Sequence, residues 1–152
     1  MRQPKTNIAG LVLNSIGNAR VAYLPADIDR RYAQDNLPDH GNLLANIVRW
    51  AAGDLIGFDL QGPGLIDCHV YHQPGRMIVH LVNLTNEGTW RAAMDELIPV
   101  GPLKLRMKLP EDVSGREIRC LVSGARPAIA LRKGWASLDV QPILDHEVLV
   151  LS

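Results

Sequence analysis

The chain has 152 residues, 47% of them hydrophobic, and sixteen basic side chains balance sixteen acidic ones to give no formal net charge. That supplies one core of ordinary size, or a domain of about 100 residues with an appendage. Balanced charge without a run of like charges excludes the basic stripe of a nucleic-acid binder and the basic face of a membrane-surface helix.

The apolar run at residues 8–13 is too short to span a bilayer and no signal-peptide cleavage site follows it, so a native start at Met1 predicts a cytoplasmic protein. The run reads as the first strand of a β-hairpin, with residues 14–18 as the turn and 20–24 as the second strand. Pro25 ends the hairpin. Asp27 is placed to cap a short helix reaching Gln34, with Ile28 and Tyr32 on one face. After a turn at residues 35–38, Asp39 is placed to cap the clearest helix of the chain. Leu43, Leu44, Ile47, Val48 and Ala51 fall at helical spacing, and Gly53 stands where a terminating glycine belongs.

The composition changes at residue 54. Eight short strand candidates follow, at residues 54–60, 65–72, 77–84, 103–109, 116–123, 128–131, 135–140 and 146–151. Gly62-Pro63-Gly64, Pro74-Gly75, Pro110-Glu111-Asp112 and Arg132-Lys133-Gly134 punctuate them. Many short strands with no helical period between them predict a mainly β fold. The expected architecture is an antiparallel β-sandwich of about eight strands, preceded by a β-hairpin and two helices. The two parts divide as residues 1–53 and 54–152. Cys68 and Cys120 lie inside strand patterns, as two unpaired core thiols or as one disulfide between sheets.

Few residues suggest chemistry. If Pro74-Gly75 is a two-residue turn, Gln73 pairs with Arg76 and, counting outward, His69 faces His80, with Asp67 and Tyr71 on the same side. Cross-strand neighbours lie about 5 Å apart, so the two histidines are a metal candidate, though no third ligand is evident. A polar pair satisfied by its neighbours is the favoured reading. Asp145-His146-Glu147 clusters only on paper, because alternation along a strand turns His146 away from both carboxylates; a solvated edge is expected. Asn83-Leu84-Thr85 is a glycosylation sequon, meaningful only in a eukaryotic secretory setting.

Glycoside hydrolysis needs two carboxylates held roughly 5–10 Å apart across a cleft, and no motif joins any two acids here in that way. Nucleophile-elbow, phosphate-loop, dinucleotide and paired C-x-x-C motifs are absent too. No catalytic residue and no cofactor is expected. Trp90 and Trp135 stand beside turns, either as edges of the core or as platforms on which a sugar ring stacks; they are the candidate ligand-binding residues.

Five stretches carry a family resemblance. Residues 20–29, RVAYLPADID, with residues 37–52, LPDHGNLLANIVRWAA, resemble the closing strand and last helices of the trimerisation domain in β-galactosidase-like glycoside hydrolases, which has a glutamine-amidotransferase-like fold. Residues 62–71, GPGLIDCHVY, and 76–85, RMIVHLVNLT, resemble the first strands of the C-terminal β-sandwich that follows it, and residues 143–151, ILDHEVLVL, its closing strand. The resemblance implies that residues 1–53 are the tail of that trimerisation domain. It also implies that the catalytic acids belong to an N-terminal barrel of which this chain holds no part, so no catalytic role carries over.

The function this implies is accessory: a structural module supporting enzyme stability or subunit association. A carbohydrate-binding sandwich is the alternative, and a small metal-dependent enzyme on His69 and His80 a further one. Without the parallel sheet of its parent domain, the stripe Leu43, Leu44, Ile47 and Val48 needs another cover. A homo-oligomer formed through the N-terminal helices is therefore the expected partner arrangement, with carbohydrate as a further partner.

Overall fold

A computed structural model describes residues 7–53, 56–85 and 96–152. It divides into two compact units, Met1–Ile56 and Gly57–Ser152.

The first unit opens with strands β1 (Val12–Ile16) and β2 (Ala19–Tyr23), which pair antiparallel from Ile16 opposite Ala19 out to Val12 opposite Tyr23. Gly17, at φ 58, takes the first place of the two-residue turn, where a hairpin of this kind requires positive φ. The first strand therefore starts four residues later than the apolar run. Pairing grows outward from the turn at Gly17, and Pro25 has no N–H with which to extend the ladder. Helix α1 (Ile28–Asp35) follows. Asp27 precedes it, but its carboxylate pairs with Arg30 at 3.0 Å and makes no cap. Asn36, left-handed at φ 49, closes the helix by donating its N–H to the Tyr32 carbonyl at 2.8 Å.

Leu37 occupies the N-cap position of helix α2 (Pro38–Ala52) without a side-chain cap, and Asp39 stands in the first turn. The expected cap is thus displaced by two residues. Proline at the first helical position has its φ already set and loses no needed donor, and a carboxylate in the first turn still favours the helix dipole. Gly53, at φ 60, ends the helix. Arg20 of β2 donates to the Trp50 carbonyl at 2.9 Å and lies 5.8 Å from the indole centroid, joining the hairpin to the last turn of α2. Among the described residues of this unit no side chain is buried. Leu43, Leu44 and Ile47 are half-buried, and Val48 is 60% exposed.

The second unit is a β-sandwich of two four-stranded antiparallel sheets. One has the order β4 (Ile66–Gln73), β5 (Arg76–Asn83), β10 (His146–Leu151), β7 (Ile118–Cys120). The other has the order β3 (Phe58–Gln61), β6 (Leu103–Lys108), β9 (Trp135–Val140), β8 (Ala130–Arg132). The eight strands follow from period-2 patterning. Met77, Val79 and Leu81 of β5 face inward with Leu103, Leu105 and Met107 of β6, Ala136, Leu138 and Val140 of β9, and Leu149 and Leu151 of β10. Alternate residues face out, as half-buried sheets demand.

Pro74-Gly75 closes β4 onto β5 with Gln73 opposite Arg76, and Gly75 has φ 76, the left-handed conformation that glycine adopts most readily. Cys68 is half-buried, Cys120 is buried, and both are free thiols. Burial pushes each thiol above the ordinary value, with the charge of Asp67 adding to it at Cys68 and that of Glu147 at Cys120, where a Ser123 hydrogen bond partly opposes it.

Candidate functional site

The β4–β5 register sets His69 directly opposite His80, with Asp67 and Tyr71 on the same face. Each histidine has its own neighbour. His69 Nε2 is 3.1 Å from Asp67 Oδ2, and the His80 ring meets Tyr71 edge-on, with centroids 5.6 Å apart. Among the described residues no group of three or more His, Cys, Asp or Glu side chains is arranged to hold a metal. Ile78, Val82, Val148 and Val150 form a half-buried aliphatic patch on this outer face, with Gln73, Arg76, His146 and Arg119 around it.

The cluster at the start of β10 differs from its expected form. His146 Nδ1 lies 3.1 Å from Asp145 Oδ2. Asp145 precedes the strand, so alternation does not govern it. Glu147 is no solvated edge either, being only 5% exposed. Its Oε1 accepts from the Val122 and Val148 amides at 2.9 and 2.8 Å, and its Oε2 from the Ser123 amide at 3.1 Å. Desolvation pushes this carboxyl upward. The hydrogen bonds from Ser123, Val122 and Val148 outweigh it and hold the group below the ordinary carboxylate value.

Two further polar groups fasten the unit. Asn83, 2% exposed, directs Nδ2 at the carbonyls of Ile98, Leu144 and Ile143 at 2.7, 2.9 and 3.2 Å, and its Oδ1 accepts from the Thr85 amide at 3.0 Å. A side chain so engaged is structural, whatever the sequon around it. Asp112 accepts from the Gly75 amide at 2.8 Å and lies 2.9 Å from His72 Nε2, tying the β4–β5 turn to the loop after β6. The Gly75 hydrogen bond, joined by His72, holds the Asp112 carboxyl below its ordinary value against a smaller opposing effect of desolvation.

The outer face of the β3-β6-β9-β8 sheet is polar. The register sets two rows across the strands, Asp59–Arg106–Ser137 and Gln61–Lys104–Asp139. An open groove of about 570 Å³ runs over these rows, with Ala128, Ile129 and Ala130 along one side. Trp135 begins β9 and is half-buried, and the Arg106 guanidinium lies 4.3 Å from its ring centroid. Trp90, the other ligand candidate, lies outside the described residues. From strand spacing and rise, the Asp59 and Asp139 backbones are about 12 Å apart on an open face. Nothing there encloses a reacting bond between them.

Neither a family model nor a curated protein matches this sequence. Among solved structures, the α-L-fucosidase isoenzyme 2 of Paenibacillus thiaminolyticus matches with a TM-score of 0.70 at 16% identity. The chain shares its fold with part of a glycoside hydrolase. The likeness covers 86% of this chain and 20% of the fucosidase, so the chain spans about a fifth of that protein's length. Residues 57–152 make up less than two thirds of the chain, so the likeness takes in residues of both units.

Among the described residues no helix is long and apolar enough to cross a membrane.

Proposed function

We propose that this chain is a non-catalytic accessory module from the C-terminal end of a β-galactosidase-like glycoside hydrolase, and that it supports stability or subunit association. The observation that carries the reading is that no side chain is buried among the described residues of the first unit, which also exposes an apolar face. Val12, Ile16, Val21 and Tyr23 share one face of the hairpin and are 45%, 65%, 44% and 62% exposed. A two-stranded hairpin and two helices bury too little to be stable alone, and an apolar face of this kind marks an interaction surface. We assign it to a second copy of the chain, with Val48 of α2 as a further exposed apolar residue of that unit.

The fold likeness to a stretch of an α-L-fucosidase supports placing the module in a hydrolase of that general type. The resemblance of residues 20–29 and 37–52 to the end of a trimerisation domain supports an associative role. The purified chain is expected to leave 4-nitrophenyl β-galactoside and 4-nitrophenyl α-L-fucoside unhydrolysed. Turnover that co-purifies with the chain and is lost on Asp59→Asn or Asp139→Asn would overturn the reading.

A further inference from the structure

We infer that the groove on the outer face of the β3-β6-β9-β8 sheet binds a neutral oligosaccharide, with Arg106, held in place by Trp135, as its central donor. This goes beyond the associative role and concerns the other unit of the chain.

The rows Asp59–Arg106–Ser137 and Gln61–Lys104–Asp139 set acceptors beside donors at the spacing of adjacent strands, about 4.8 Å, and repeat about 7 Å along them. Vicinal hydroxyls both give and accept hydrogen bonds, so a carboxylate and a cation side by side can chelate such a pair. The groups are available. Asp59 accepts a hydrogen bond from Gln61 at 2.7 Å. Among the described residues, the side chains of Lys104, Arg106 and Asp139 make no hydrogen bond or ion pair within the protein.

The second part of the match is apolar. Ala128, Ile129 and Ala130 wall one side of the groove, offering a surface to the C–H face of a sugar ring while the rows take its hydroxyls. The volume, about 570 Å³, lies within the range of small-ligand clefts. Trp135 has a positioning role rather than that of an open platform, since Arg106 already lies over its ring. A guanidinium held over an indole has lost part of its rotamer freedom before any ligand arrives. The charges decide the ligand class. Asp59 and Asp139 offset Lys104 and Arg106, leaving no net charge to favour an anionic polymer over a neutral one.

The test is amide-resolved NMR of the full chain titrated with cellotriose, xylotriose and galactotriose, and with a heparin tetrasaccharide as the anionic probe. At least one neutral trisaccharide is expected to shift the amides of Ile129, Arg106, Ser137 and Asp139, with a Kd on the order of 1 mM. Arg106→Ala and Asp139→Asn are each expected to weaken binding at least about tenfold, about 1.4 kcal/mol, with the rest of the spectrum unchanged. Both side chains are exposed, so neither variant removes a core group. The inference is overturned by absence of shifts with all three trisaccharides at about 10 mM, by shifts confined to other surfaces, by preference for the heparin fragment, or by unchanged binding in Arg106→Ala. None of these outcomes depends on whether the first unit associates, so the two readings fail separately.

Discussion

Glu147 of β10 reaches across to the segment after β7 and accepts the Val122 amide at 2.9 Å, with the Ser123 amide on its other oxygen. A buried carboxylate thus stands where the chain leaves the sheet edge, holding backbone donors that the ladder no longer pairs. Such a group stabilises only while it is charged.

The sign of the pH dependence follows from the lowered carboxyl. A folded-state value below the unfolded one contributes stability that is present above the unfolded carboxylate range, near about 4.3, and lost as pH falls through the folded value. Urea unfolding of the wild type is expected to show this loss on the acid side, and Glu147→Gln to remove part of it. At neutral pH, Glu147→Gln is expected to cost about 1–3 kcal/mol, the range for leaving buried hydrogen-bonding groups poorly matched. An unchanged midpoint at neutral pH would show that solvent replaces the carboxylate.

Asn83 yields a second prediction. Its amide serves three carbonyls, two of them in the residues just before β10, and its oxygen takes the Thr85 amide. Asn83→Ala leaves those groups to find water at a position only 2% exposed. A loss of about 1–3 kcal/mol in chemical denaturation is expected, with Asn83→Asp also destabilising because a carboxylate has no protons to give.

Much of the sandwich was legible in the sequence because its signals are local. The bounds of β9 and β10 coincide with their apolar alternation, and the Pro74-Gly75 turn alone fixes His69 opposite His80. The helix at 38–52 was legible from its stripe, but not its cap, because Pro38 at the first position outweighs the capping preference of Asp39. What was hidden is non-local. Nothing in the order Asp145-His146-Glu147 reveals that Glu147 will meet Val122, since that meeting depends on β7 pairing with β10. The polar groove is likewise a product of register among four strands, with Asp59 and Asp139 eighty residues apart in sequence. The Trp135 signal was visible, but its cover, Arg106, comes from the neighbouring strand.

The two units should differ in local stability. The second has a continuous buried core and the first has no buried side chain among its described residues. Hydrogen exchange at low protein concentration is expected to leave the amides of β5, β6, β9 and β10 strongly protected and those of β1, β2 and α2 weakly so. Arg20→Ala removes the hydrogen bond to Trp50 and the contact with its ring. It should speed exchange in α2 further while leaving the sandwich midpoint unchanged. Equal protection in both units would mean that the first has a cover of its own.

The most direct test of the accessory reading is the mass of the chain in solution, by light scattering after gel filtration across a range of concentrations. Wild-type protein is expected at a multiple of 16.7 kDa, falling to the single-chain mass when Ile16→Lys and Tyr23→Lys charge the exposed hairpin face. A wild-type chain that stays at 16.7 kDa at every concentration, with α2 as protected from exchange as the sandwich, would contradict it.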